Sequence, residues 1–220
     1  MILKKQKIIL KKINILKDIV FNFKEKKIII FDLDGVLIDS LGNMKKSWDS
    51  AVSNLPINRD FKKYKKHIGK PFRDILTSLM IKKKYHNYIE KEFKKKSIKN
   101  LNLIKLYPKV HSTLKYLKKK YKIAVLTSKD KSRTLKVLKR IKIKFDKIQC
   151  PEKNYKGKPH PDLMIKLIKN LKIKKKNAVY IGDTHYDLLM SKSAKIDFIF
   201  AEYGFKIGIK KYRFGLKKFE

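Results

Sequence analysis

Two carboxylates, Asp32 and Asp34, stand one residue apart directly after the apolar run Ile28–Phe31, in "KIIIFDLDG". Far down the chain, Asp183 and Asp187 follow a second apolar run, in "YIGDTHYD". Between them come Thr127 and Ser128, ending "KIAVLTS", and Lys158, inside "KGKPHPD". Taken singly, each piece has a bland reading. A D-x-D pair is often a surface feature, and Gly35 comes too early for an EF-hand calcium loop. Thr127 could be a helix N-cap, Lys158 one lysine among many, and "GDTHYD" a loop with a capping acid. Together they occur at the ends of strand-like runs or in the loop between two of them, which is where active-site groups collect. Acids this crowded do not all stay ionised without a cation. Mg²⁺ suits such a site, being a hard ion satisfied by one or two carboxylates, waters and a phosphate oxygen. An Asp facing a metal-bound phosphoryl group can attack it as a nucleophile. A second carboxylate two residues on can exchange protons with the leaving group and with water. A hydroxyl and a lysine can hold the remaining phosphoryl oxygens.

The elements that would position these residues alternate. Strand signals fall at Ile28–Phe31, at Ile123–Leu126, in "FDKIQC", in "NAVYIGD" and in "DFIFA". Helical spacing lies between them, from Pro108 to Leu117, Ser132 to Ile141 and Pro161 to Leu171. Such alternation predicts a Rossmann-like α/β fold, a parallel sheet flanked by helices. In sheets of this kind ligands bind beyond the carboxyl ends of the strands. One stretch does not alternate. From Leu41 to Leu106 the apolar residues repeat at helical spacing only, as in Met44, Trp48, Ala51 and Val52 or Ile75, Leu76, Leu79 and Met80, with breaks at Pro56 and Gly69–Pro71. This predicts a second, all-helical domain at 41–106, inserted into a core made of 27–40 and 107–205.

The chain carries 59 Lys+Arg against 19 Asp+Glu over 220 residues, a formal net charge of +40. A surface this basic attracts anions, whether phosphorylated metabolites, nucleic acid or acidic lipid. The lysines are scattered and few of the cations are Arg, the better phosphate fork, which favours a general compositional bias over a dedicated anion-binding surface. Cys150 is the single cysteine, which excludes an internal disulfide and a zinc site of Cys/His spacing and points to a cytoplasmic setting. Ile9, Ile13, Leu16 and Val20 predict a basic amphipathic helix within residues 1–26, too broken for a membrane span or a signal peptide and able to dock on the core or on a membrane surface. Residues 206–220 read as a basic tail.

The sequence resembles the haloacid dehalogenase superfamily, in the subgroup with a helical cap that includes phosphoglycolate phosphatases and β-phosphoglucomutases. "FDLDGVLIDS", "VLTS", "GKPHPD" and "YIGDTHYD" match its four motifs in order, and "IGKPFRDIL" resembles a cap segment. The resemblance covers about residues 27–205. It implies Asp32 as nucleophile and Asp34 as general acid/base with its backbone oxygen on Mg²⁺. Thr127 would bind the phosphoryl group and Lys158 would stabilise Asp32. Asp183 would ligate the metal with Asp187 in support, giving a metal set of Asp32, Asp34, Asp183 and Asp187. Ser128 and the cap residues Lys70 and Arg73 are candidates for substrate contact. The implied activity is a phosphatase acting on a small phosphorylated metabolite, a sugar phosphate or a phosphoglycolate-like acid, through an aspartyl-phosphate. The alternatives are a phosphosugar mutase or a nucleic-acid-binding protein using the basic surface. The mutase subgroup carries Thr and His where this chain has Ser40 and Met44, which favours hydrolysis.

Overall fold

The computed structural model of the chain describes residues 23–219. The amphipathic helix expected near the N-terminus falls on residues outside that range. Strand β1 (Ile28–Phe31) lies at the centre of a six-stranded sheet with β4 (Lys122–Leu126), β5 (Lys147–Gln149), β6 (Ala178–Gly182), β7 (Asp197–Ala201) and β8 (Gly215–Leu216). The order is β5-β4-β1-β6-β7-β8, and every pair is parallel. Parallel strands bury both faces, which is why β1 reads as an unbroken apolar run rather than an alternation.

The alternation is still there in the packing. Ile29 and Phe31 face one core with Val125, Val179 and Ile181, covered by α5 (Val110–Leu117) and α6 (Lys131–Ile141). Ile28 and Ile30 face the opposite core with Leu126 and Tyr180, covered by α7 (Asp162–Asn170) and α8 (His185–Ala194). Each such aliphatic side chain contributes about 1.5–3 kcal/mol by leaving water. Both layers thus hold the central strand rigid up to Phe31, so the residues that follow it leave the sheet from a fixed point.

A third core belongs to the inserted cap. Helices α1 (Leu41–Val52), α2 (Phe61–Lys65), α3 (Phe72–Ser78) and α4 (His86–Lys99) enclose Trp48, Tyr64, Leu76, Ile89 and Phe93. A feature the sequence did not signal stands at the root of this insertion. The two-residue strands β2 (Ile38–Asp39) and β3 (Lys105–Leu106) pair antiparallel, Asp39 opposite Lys105. The chain therefore leaves the sheet and returns to it side by side.

Residues 206–219, expected as a basic tail, instead join the fold. β8 extends the sheet beyond β7, with hydrogen bonds from Phe200 N to Phe214 O and from Glu202 N to Leu216 O, both 2.8 Å. Phe219 is buried against Phe31 and Tyr203. The lysines of this segment point outward while its aromatic residues dock, a division of labour that composition alone does not reveal. No helix among the described residues is long and apolar enough to cross a membrane.

Candidate active site

Three strand ends of the sheet, those of β1, β4 and β6, deliver the polar residues to one edge. Asp32 continues β1, its N–H still donating to Ile181 O at 2.9 Å. The next turns are tight because Gly35 adopts φ +81°, and a Cβ there would lie 2.0 Å from Oδ2 of Asp183. Only glycine lets the loop after β1 approach the end of β6 so closely. On the other side, Asp187 sits in the first turn of α8. Thr184 and Asp187 form a capping box, the Thr184 hydroxyl accepting from Asp187 N while the Asp187 carboxylate accepts from Thr184 N at 3.0 Å. The acid read from "GDTHYD" is thus fixed by the helix start it helps to make.

Asp32, Asp183 and Asp187 come together, each offering a carboxylate oxygen within 4.8 Å of the others, all three buried. Lys158 lies among them, fully buried, its Nζ 2.9 Å from Oδ2 of Asp32 and 2.7 Å from Oδ1 of Asp187. Burial would push the Lys158 ammonium down, but the two carboxylates hold its pKa above the ordinary value. Asp187 is saturated. Oδ1 accepts from Lys158 and, at 2.7 Å, from the Tyr180 hydroxyl, while Oδ2 accepts from the N–H and hydroxyl of Thr184. Burial raises its carboxyl and these partners, Lys158 foremost, bring it below the usual range. Asp32 is pushed up to about 7, first by burial, with Lys158 opposing and the nearby acids adding to the rise. Asp183 is raised further by burial, Asp187 and Asp32. Its Oδ2 accepts from Phe205 N at 2.7 Å, whereas Oδ1 is buried with no hydrogen-bond partner.

Asp34 is held apart from this cluster. Its Oδ1 accepts from Ser40 Oγ at 2.5 Å and meets Lys129 Nζ at 3.0 Å. Four carboxyl groups thus face only two lysines in a buried space. The orphaned oxygen of Asp183, the all-oxygen donor set and this excess fit a hard divalent cation.

The cap closes over the edge. A cavity of about 50 Å³ is lined by Asp32, Asp34 and Thr127 below and by Met44, Tyr64 and Phe93 above, among others. The segment Gly69–Pro71 makes the contact. Ser128 Oγ donates to Gly69 O at 2.6 Å, and Gly69 has φ +108°, where a Cβ would strike Thr184 Oγ1 at 2.8 Å. Lys70 lines the cavity, its Nζ donating to Ser78 Oγ at 2.9 Å above the Tyr186 ring. Thr127 is buried there, its hydroxyl accepting from Lys129 N at 3.2 Å.

Arg73, expected with Lys70 as a substrate contact, is a correction. Its guanidinium points away from the cavity and pairs with Glu90 at 2.7 Å and Asn87 at 2.8 Å on α4. It follows Phe72 but lies off the Phe72, Ile75 and Leu76 face that packs inward. Two cationic residues that line the cavity were missed, Lys129 and Arg133. For Arg133 a signal existed. It shares a helix face with Thr134, Val137, Leu138 and Ile141, all buried, so a charge stood in an apolar stripe.

Comparison with known proteins bears on this geometry. The profile of the family described as haloacid dehalogenase-like hydrolase matches residues 29–201. The phosphoglycolate phosphatase of Aquifex aeolicus is 29% identical over 184 residues, covering 81% of this chain and 86% of that protein. A protein of Clostridium perfringens named as a candidate pyrophosphatase, PpaX, is 31% identical over 176 residues, covering 76% and 80%. Among solved structures, one from Haemophilus somnus, described as a predicted phosphoglycolate phosphatase, superposes with a TM-score of 0.78 at 23% identity, covering 90% of this chain and 96% of that one. A hydrolase from Pseudomonas syringae superposes at 0.73 and 24% identity, covering 81% and 86%. The structural likenesses establish the shared fold.

Proposed function

The chain belongs to the haloacid dehalogenase-like hydrolase family, and we propose that it is a Mg²⁺-dependent phosphatase of a small phosphorylated metabolite, working through an aspartyl-phosphate. The observation that carries this reading is the buried, partnerless Oδ1 of Asp183 in one carboxylate cluster with Asp32. Mg²⁺ held by the carboxylates of Asp32 and Asp183, with the backbone oxygen of Asp34, would offset phosphate charge and fix the phosphoryl orientation.

The residues divide the work. Asp32 attacks phosphorus with a carboxylate oxygen, and the bond from phosphorus to the leaving oxygen breaks. Asp34 gives that oxygen a proton. Water then attacks the phosphoryl group on Asp32, passes its proton to Asp34 and releases phosphate. Lys158 keeps Asp32 paired in a buried setting and meets the charge of the phosphoryl oxygens. Asp187 holds Lys158 rather than serving as a free ligand, since both its oxygens are engaged. Ser40 and Lys129 aim the Asp34 carboxyl. The Thr127 hydroxyl stands ready for a phosphoryl oxygen, and the Gly69–Ser128 contact keeps bulk water out. Met44, which lines the cavity, carries no exchangeable proton, which supports hydrolysis over transfer to a second hydroxyl. The relatives' names point to phosphoglycolate-like or pyrophosphate-like substrates.

Phosphate release from a panel of phosphate esters, with Mg²⁺ and with EDTA, tests this. Wild type is expected to release phosphate only with the metal, and Asp32→Asn to be inactive. Equal residual activity in both proteins would end the reading.

A further inference from the structure

One buried charge has no part in those steps. Arg133 is 6% exposed and lines the cavity. Asp32 is paired with Lys158 and Asp34 with Lys129, so chemistry at phosphorus does not call on Arg133. A guanidinium is almost never buried without a partner or a ligand. Three contacts fix its plane. Nε donates to Asp130 Oδ2 at 2.5 Å, Nη1 approaches Ser97 Oγ at 3.5 Å, and the Phe93 ring lies 5.2 Å from the guanidinium carbon. Asp130 and Ser97 occupy only two of the five N–H donors of an arginine. The rest belong to a group held rigid at the wall of the cavity, beside Lys129.

On this basis, and resting on the phosphatase reading above, we propose that Arg133 is the specificity-determining residue of the site. It recognises a second anionic group, carboxylate or phosphoryl, on the leaving group of the substrate, through the paired donors with which arginine grips planar or tetrahedral oxyanions. The cap side of the cavity supports a short acidic tail over a polyol. Of the cap side chains that line it, Met44, Ile68, Phe72, Ile75 and Phe93 offer no partners to sugar hydroxyls, only Tyr64 and Lys70 are polar, and about 50 Å³ leaves little room for a long chain. The substrate class is a short phosphorylated acid or a diphosphate. In the free site Asp130 balances the Arg133 charge.

The test uses the full chain with Mg²⁺ and a matched pair of esters, phosphoglycolate and 2-hydroxyethyl phosphate, which differ only in carboxylate against hydroxymethyl. Wild type is expected to favour phosphoglycolate in kcat/KM by about tenfold to a hundredfold, the range of one charge-assisted contact. Arg133→Gln should collapse that ratio toward one, chiefly through KM. Arg133→Lys keeps the stem and the charge, stays measurable where Gln fails to fold, and should retain only part of the ratio. Pyrophosphate in parallel tells a phosphoryl tail from a carboxylate. A merely structural Arg133 would lower both esters together and leave the ratio intact, which overturns the proposal, as does a wild type indifferent to the carboxylate. Hydrolysis of p-nitrophenyl phosphate, abolished by Asp32→Asn, reads the phosphatase activity separately.

Discussion

Gly35 and Gly42 allow one substitution to be tried in two settings seven residues apart. At Gly35, alanine must hold φ +81°, which costs about 1 kcal/mol or more. Its Cβ would also sit 2.0 Å from Oδ2 and 2.5 Å from Cγ of Asp183, far inside contact distance. That carboxylate cannot retreat freely, because Oδ2 is bonded to Phe205 N and the aspartate is fully buried. Moving it breaks that bond, leaving a buried donor unsatisfied at about 1–3 kcal/mol. Gly35→Ala is therefore expected to destabilise by about 2–4 kcal/mol. A shift of the order of 1 Å in Asp183 should also cost about 100-fold in activity, with weaker Mg²⁺ dependence. At Gly42, in the first turn of α1, a Cβ would meet nothing within 4 Å. Gly42→Ala should stabilise by about 0.5–1 kcal/mol through helix propensity and a stiffer unfolded chain. Urea unfolding in EDTA separates the two signs without metal, and a Mg²⁺ titration of phosphate release reads the site. If both variants shift the same way, or Gly35→Ala keeps wild-type Mg²⁺ affinity, the packing of the first loop against Asp183 has been misread.

Four further outcomes are expected. Lys158→Met leaves Asp32 and Asp187 buried without their cation, so unfolding free energy should fall by about 3–5 kcal/mol and phosphate release should drop below detection, read by denaturant melts and steady-state assay. Arg73→Ala, removing an exposed pair with Glu90, should change stability by less than about 1 kcal/mol and leave kcat/KM alone, whereas Lys70→Ala should raise KM. Asp130 caps α6; burial would raise its carboxyl, but Arg133 holds it below the ordinary 3.8. Its contribution is complete above that value and is lost as pH falls through the lower folded one, so the stability gap between wild type and Asp130→Ala should narrow below about pH 4 in pH-dependent melts. Phe219→Ala should cost about 3 kcal/mol in urea if the C-terminal segment is as firmly docked as its contacts with Phe31 and Tyr203 indicate.

The fold and the acid cluster could be read in advance for the same reason. A parallel strand buried on both faces writes an apolar run, and an acid at its end is conspicuous in a chain so poor in acids. Asp32, Asp34 and Asp183 stood out in this way, with Asp187 as the second acid of "GDTHYD", and the structure brings Asp32, Asp183 and Asp187 into one cluster with Asp34 beside it. The basic residues were hidden by the same contrast. Lys129 and Arg133 sit in "TSKDKSRTLKVLKR", where cations occur at nearly every other position, and only the phase of the helix tells the buried one from its neighbours. Arg73 was misjudged because its helix has seven residues, too few for its apolar face to be fixed from sequence. β8 and the β2–β3 ribbon are two residues each, and such pairs are decided by what lies beside them rather than by their own composition.

The ribbon has a use beyond its size. Because Asp39 and Lys105 lie directly opposite each other, about 5 Å apart, the cap is attached at what amounts to a single point on the core. With Ser40 kept for its bond to Asp34, the helices that follow it up to Lys105 can be exchanged for another helical unit without lengthening a loop or disturbing a strand end. A laboratory wanting a different pocket over the same core would cut there, and the graft would inherit the carboxylate cluster and Lys158 intact.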